Sequence, residues 1–313
     1  MMPFCLLSFL FLSQRGAGIA NTYQRRADIL NRGMSGYNTT WYLRYAQDNG
    51  VWHEGRSNNG NNDNSGNGDE IVLIILFFGA NDASIEEYNP HAYVSLDDYT
   101  NNLRTLIDKC QLHYKNARII IITPPPVHHE QRLIFQKQRY GEEKATGILE
   151  RTLDNTSKYA TACKNVATNE YNLPCLDLFH TMQQDPNPKE GKDDDEKTTT
   201  KESSFDFGIY FHDGLHFSPQ GHEFVYQSLL QLIETQVPTL HVTKDKYTGQ
   251  WNNSGTTCGA GLISSGPYHD SINHTCYNDA FDKDYQEKYH TNTTNGNDDD
   301  EPEPKRQRHE EEN

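Results

Sequence analysis

The stretch Ile71-Val72-Leu73-Ile74-Ile75-Leu76-Phe77-Phe78-Gly79-Ala80-Asn81-Asp82 decides how the rest of the chain is read. It opens with a continuous apolar run, rich in β-branched and aromatic types. The run is too short to span a membrane and too unbroken for a strand with one wet face. It predicts a strand buried on both faces, as in a parallel sheet covered by helices. Gly79 lets the backbone turn sharply, and Asn81 and Asp82 follow just past the strand end. Open parallel sheets bind ligands at the carboxyl ends of their strands, where a side-chain amide can donate to a substrate oxygen. Gly and Asn are also ordinary turn residues, so this stretch alone does not separate a site from a turn.

Outward from this strand, the period alternates between strand and helix. Tyr99, Leu103, Leu106, Ile107 and Cys110 recur at helical spacing. Arg118 to Ile122 is a second apolar, β-branched run, closed by Pro124-Pro125-Pro126. A long helix is expected over 140–171, carrying Leu149, Leu153, Tyr159, Cys163 and Val166. Pro174 to Phe179 suits a short strand. Asp213-Gly214-Leu215-His216 precedes a helix capped by Ser218 with Pro219 at its first position, and Phe224, Val225, Leu229, Leu232 and Ile233 face inward. Towards the N-terminus, 19–28 suits a helix with Ile19, Tyr23 and Ala27 on one face, and Ile29-Leu30-Asn31 a short strand. Arg32 to Thr39 is a loop with two glycines, Gly33 and Gly36, and a helix cap at Asn38 or Thr39. A helix through Trp41, Leu43 and Tyr45 follows. The fold class expected is α/β: a doubly wound parallel sheet between helix layers, an α/β/α sandwich. From Leu240 onward no period is evident.

The chain has 313 residues, a net charge of -16 and only 34% hydrophobic residues. Polar segments therefore dilute a smaller core. Flexible insertions are expected near 48–70, mostly Asn and Gly, and near 185–204, which is charged. The organisation expected is an atypical N-terminus over 1–15, one domain over 16–240, and a tail over 241–313 that is acidic and disordered at its end. The acidic balance argues against nucleic-acid partners, and Lys305-Arg306-Gln307-Arg308 reads as part of a solvated terminus. Met1 to Leu12 is apolar. It reads equally as a signal-peptide core, though without a basic start or a good cleavage site, and as a buried first strand ending at Leu12. No stable membrane span is expected, and the location expected is cytoplasmic. Cys110, Cys163 and Cys175 fall on core faces as reduced thiols, whereas the pairing of Cys258 and Cys276 is left open.

Asp213 and His216 are three residues apart on a loop before a helix. A carboxylate can orient an imidazole and stabilise its protonated form, leaving the other ring nitrogen as a general base. Gly36 offers a backbone N–H and Asn81 a side-chain amide. All three loops lie at strand-to-helix turns and so point to the same sheet edge. Other histidines carry blander readings. His128-His129-Glu130 suits an exposed loop, and His222 a surface position in the last helix. His212 beside His216 suggests a divalent metal, but the acid-base role already accounts for His216. Asn38-Thr39-Thr40 and Asn273-His274-Thr275 match glycosylation acceptors at a rate expected by chance in so Asn-rich a chain.

Three blocks make the chain recognisable. They are Asp28-Ile29-Leu30-Asn31-Arg32-Gly33-Met34-Ser35-Gly36-Tyr37, Phe78-Gly79-Ala80-Asn81-Asp82 and Asp213-Gly214-Leu215-His216-Phe217-Ser218. Together, over about 16–240, they resemble the SGNH (GDSL-like) hydrolases, and within them the isoamyl acetate-hydrolysing esterase group of fungi. The resemblance implies a hydrolase of short-chain, acetate-type esters that uses no cofactor or metal and has a small-molecule ester as its partner. It implies that Asp213 and His216 complete a Ser-His-Asp triad and that Gly36 and Asn81 help form an oxyanion hole. One block departs from the pattern. The family's first block is an apolar strand running into Gly-Asp-Ser, whose Ser is the nucleophile, and no Gly-Asp-Ser occurs here near the N-terminus. Ser13 follows Phe9-Leu10-Phe11-Leu12 without the preceding Gly-Asp. A misassigned start that loses the first block is the expectation; Ser13 as nucleophile and an inactive relative are the others. The rival functions are a binding or scaffold protein that keeps the pocket without the nucleophile, and a metal-dependent hydrolase using His212, Asp213 and His216.

Overall fold

Short apolar strands, each followed by a helix, build the sheet the sequence predicts. A computed structural model describes residues 4–8, 15–24, 26–52, 70–143, 145–185, 205–244 and 251–253. In chain order the elements are β1 (Phe4–Ser8), α1 (Arg15–Thr22), β2 (Ala27–Asn31), α2 (Thr39–Asp48), β3 (Glu70–Phe77) and α3 (Leu96–His113). Then come β4 (Arg118–Ile122), α4 (His129–Tyr140), α5 (Leu153–Asn165), β5 (Cys175–Leu176), α6 (Leu178–Thr181), α7 (Pro219–Gln236), β6 (Val242–Lys244) and β7 (Trp251–Asn253). The main sheet has the order β2-β1-β3-β4-β5. Every pairing in it is parallel, while β6 and β7 form a separate antiparallel pair. The strand order reverses beside β1, which lies between β2 and β3, and ligand crevices of doubly wound sheets open at such points.

The central strand is buried on both faces, as its composition demands. Leu73 and Ile75 of β3, with Ile120 and Ile122 of β4, join a core completed by Ile19, Tyr23 and the Val225, Leu229, Ile233 face of α7. Ile74 and Leu76, with Ile119 and Ile121, join a second core under α2, α3 and α5 that holds Tyr42, Tyr99, Leu103, Ile107 and Cys163. Alternate side chains of one strand thus serve opposite layers. Each buried aliphatic side chain of this kind contributes about 1.5–3 kcal/mol relative to its exposed state. The α3 face matches the expected one at Tyr99, Leu103, Leu106, Ile107 and Cys110.

Several element boundaries differ from the sequence reading. The helix expected over 19–28 ends at Thr22, because residues 27–31 are drawn into the sheet beside β1. Helix α2 is capped by Asn38, as expected, but buries Tyr42 and Ala46 and leaves Trp41 42% exposed. The long helix over 140–171 is not one helix. Gly141 closes α4 at φ 83, Gly147 adds a second left-handed turn at φ 70, and α5 begins only after Thr152, which caps it. A π-helical turn, Val166–Glu170, then extends α5. Phe179 lies in α6, not in a strand.

The first strand runs over Phe4–Ser8. Its expected continuation to Leu12 and Ser13 falls outside the described residues, as do most of both insertions, the tail from 254, Cys258, Cys276 and the acceptor at Asn273. By its contacts the chain divides into Met1–Ser264 and Ser265–Asn313, and the second unit lies wholly outside the described residues. Among the described residues no helix is long and apolar enough to cross a membrane.

Candidate active site

Asp213 and His216 are positioned by a tight loop. Phe211 and Phe217 form an antiparallel bridge at its base, His212 N–H donates to His216 O at 3.0 Å, and Ser218 N–H to Tyr210 O at 2.9 Å. Inside the loop the Asp213 carboxylate closes the turn on itself. Oδ1 accepts from the amides of Leu215 at 3.0 Å and His216 at 2.7 Å. Oδ2 lies 2.8 Å from His216 Nδ1. The three-residue spacing is therefore a geometric requirement, since one carboxylate both shapes the turn and grips the ring. Gly214 sits in the left-handed region at φ +80, and a Cβ there would meet Arg132 N at 2.7 Å. The base loop is thereby pressed against the start of α4.

Asp213 is buried. Burial pushes its carboxyl up, but hydrogen bonds from the His216 ring and from the His216 and Leu215 amides outweigh it and hold the carboxyl well below the usual carboxylate range. An ionised Asp213 fixes the proton of His216 on Nδ1, which leaves the lone pair of Nε2 as the basic one.

Asn81 is reached by the turn that ends β3. Gly79 has φ +115, and a Cβ on it would lie 2.7 Å from Tyr99 Oη. The Asn81 amide is held from both ends. Its Oδ1 accepts from Arg151 Nη2 at 2.9 Å, and its Nδ2 donates to Tyr37 O at 3.0 Å. The guanidinium can only donate, so the amide cannot be reversed, and Nδ2 keeps a second N–H for another acceptor. Asp82 turns the other way, into the protein. It accepts from Thr39 N–H at 2.9 Å and from Thr39 Oγ1 at 2.5 Å, which ties the β3 turn to the start of α2. Burial pushes the Asp82 carboxyl up to about 6 against those hydrogen bonds.

Gly36, Asn81 and His216 line one pocket of about 410 Å³, with Met34, Tyr37, Phe77, Phe78, Pro125, Leu215, Phe217 and His222 among its other walls. The three residues come from turns after β2 and β3 and from the loop before α7, and they meet at the carboxyl edge of the sheet. Gly36 has φ +78 with open space where a Cβ would stand. The arrangement suits a base and a charge-stabilising donor facing one small, mostly apolar ligand.

Residues 11–224 match the model of the GDSL-like lipase/acylhydrolase family. The chain belongs to that family. It is 32% identical over 72% of its length to a Bos taurus protein named isoamyl acetate-hydrolyzing esterase 1 homolog, of which 76% is covered. It is 36% identical to a GDSL esterase/lipase of Arabidopsis thaliana, over 55% of this chain and 66% of that one. It is 31% identical to the isoamyl acetate-hydrolyzing esterase of Saccharomyces cerevisiae, over 74% of this chain and 79% of that one. The resemblance drawn from the three sequence blocks is borne out by these relatives.

For this GDSL-like hydrolase the cluster His212, Asp213 and His216, whose ligand atoms lie within 4.8 Å of one another, is the obvious place to look for a metal. Its donor chemistry fits a metal poorly. Both Asp213 oxygens are engaged, and Arg132 Nη1 donates to Oδ2 at 3.2 Å. A fixed cation beside the only carboxylate opposes a second cation. His128 is not exposed as expected: Gln131 N–H donates to its Nδ1 as the α4 cap, and its Nε2 lies 2.9 Å from Asp206. His222 is not a surface residue either; it is half-buried and lines the pocket.

Three residues near the site had no readable signal. Arg132 and Arg151 are buried, and Glu150 contacts both. A buried arginine looks like a surface arginine in sequence, and Glu150-Arg151 fell inside a stretch read as helix.

Proposed function

We propose that this domain, over about 16–240, hydrolyses short-chain carboxylic esters, acetate-type first. In this reading a serine attacks the ester carbonyl and His216 Nε2 takes its proton. Asp213 holds the ring and stabilises the imidazolium that forms. The Gly36 N–H and the second Asn81 N–H receive the oxyanion. His216 then returns the proton to the leaving alkoxide, and water releases the acid by the same route. The observation that carries the reading is the Asp213–His216 contact at 2.8 Å opening on the same pocket as an Asn81 amide whose orientation is fixed. The pocket volume and apolar walls support a small uncharged ester, and the relatives named for isoamyl acetate support the acetate class.

Among the described residues no hydroxyl is hydrogen-bonded to His216 Nε2, although Ser35 lines the pocket, and Ser13 lies outside them. The test compares three chains on 4-nitrophenyl acetate: the chain as it stands, Ser13→Ala, and a chain carrying a Gly-Asp-Ser block ahead of Gly16. The first two are expected to be equally poor and the third active and insensitive to a chelator. Brisk turnover by the unaltered chain that Ser13→Ala removes would identify Ser13 as nucleophile. Activity lost on chelation and restored by zinc would favour the metal reading. Inactivity of all three chains would leave the pocket as a binding site.

A further inference from the structure

We propose that Glu150 is a positioning residue that anchors both halves of the pocket, each through its own buried arginine. The inference rests on the roles proposed above for Asn81 and His216. Arg132 Nη1 donates to Asp213 Oδ2 at 3.2 Å, and the other edge of the same guanidinium is spent on Glu150, with Nε at 3.2 Å from Oε1 and Nη2 in closer contact. Arg151 repeats the pattern on the opposite side. Its Nη1 meets the same Oε1 at 3.1 Å, its Nη2 fixes Asn81 Oδ1 at 2.9 Å, and its Nε donates to Ala80 O at 2.9 Å. One carboxylate oxygen therefore stands between two guanidiniums, and each guanidinium holds one side chain of the site.

The arrangement is demanding enough to need a purpose beyond stability. Buried ion clusters are weak stabilisers, because desolvation offsets most of the Coulomb gain. Two guanidiniums, 8% and 7% exposed, repel each other unless a carboxylate lies between them. Planar forks, by contrast, are well suited to fixing direction. Glu150 is itself anchored at its backbone, where Ile85 N–H donates to its carbonyl at 2.8 Å, so it forms a fixed post on the loop before α5. Loss of its charge releases both arginines at once, and both the amide and the imidazole lose their alignment. A misplacement of about 1 Å in such groups costs about 100-fold in rate.

The test reads the two ends separately in the full chain by NMR with selectively labelled Asn and His. The readouts are the Asn81 side-chain amide pair and the His216 Nδ1–H proton. Glu150→Gln is expected to shift both signals. Arg151→Lys is expected to shift only the Asn81 pair, and Arg132→Lys only the His216 proton. Glu150→Asp, one methylene short but still charged, is expected to return both part of the way. Glu150→Gln that moves neither signal, or only one, overturns the proposal, and so do arginine variants that each move both. If Glu150→Gln does not fold, the same comparison is made with Glu150→Asp, which must then shift both signals from their positions in the unaltered chain. In the chain bearing the Gly-Asp-Ser block, Glu150→Gln is expected to lower kcat by about 10- to 100-fold per folded molecule with KM within about twofold. The NMR readout needs no turnover, so an inactive chain counts against the ester reading and leaves this one to be judged by the signals.

Discussion

The base side of the pocket is assembled within one loop, whereas the oxyanion side is gathered from across the chain. Asp213 and His216 are three positions apart and the turn between them is closed by their own amides. Asn81 is fixed by Tyr37, 44 positions away, and by Arg151, 70 positions away, and Asp82 beside it is tied to Thr39 across 43 positions. A local device takes its shape from its own amides and meets the distant chain at one side chain, Arg132, which donates to Asp213 from 81 positions away. A distributed one fails gradually, as each distant support is removed.

The most severe test of the comparison removes the local device. In the chain bearing a Gly-Asp-Ser block, His216→Ala is expected to lower kcat by about 10⁶, measured by 4-nitrophenyl acetate turnover, and to lower the urea unfolding midpoint at neutral pH because buried Asp213 loses a hydrogen-bond donor. Asn81→Ala removes a single donor and is expected to cost about 10²–10³ in kcat. If the two losses were equal, the pocket would be acting as one unit and the distinction between its sides would break.

Their buried carboxylates should also respond to pH in opposite directions. Asp82 has its folded pKa raised to about 6 by burial. Its contribution is therefore fully present below the unfolded value of about 3.9, and is lost as pH rises through the folded value. Asp213 is held low, so its contribution is present above about 3.9 and is lost as pH falls further. Asp82→Asn is expected to abolish a fall in stability on the order of 1–3 kcal/mol between about pH 4 and pH 6, read from unfolding midpoints across that range. A variant whose pH profile overlays that of the unaltered chain would show that Asp82 is ionised freely. The smallest effect is expected from Thr39→Val, which deletes one hydroxyl donor to Asp82 and costs about 1 kcal/mol by the same titration.

The same contrast explains how much was legible. The layers could be read because Ile71 to Phe78 and Ile119 to Ile122 have no polar face to offer water, and only a sheet covered on both sides accepts them. The base pair could be read because its geometry is written in consecutive residues. The boundaries of α1 and α5 are not legible in helical spacing, because sheet pairing and positive-φ glycines override it there. Arg132, Glu150 and Arg151 escaped because their significance exists only once α4, the loop before α5 and the β3 turn are brought together. The burial of His222 escaped for a similar reason, since a helix period does not say which face will border a pocket.

Gly79 has a further consequence, for alignment along the sheet. A strand with aliphatic side chains on both faces can slide by one residue with little penalty, because either set suits either core. The pairing of β1 with β3 already shifts register between Cys5 and Leu6. What such a strand lacks is an end stop. Gly79 provides it: only a residue without a side chain passes Tyr99 Oη, which would lie 2.7 Å from any Cβ there. If the strand slipped one way, Phe78 would be driven into that hydroxyl. If it slipped the other, Ala80 would be. The glycine therefore acts as a vernier mark that sets how far the chain emerges from the sheet, and so the depth at which the following amide meets a ligand.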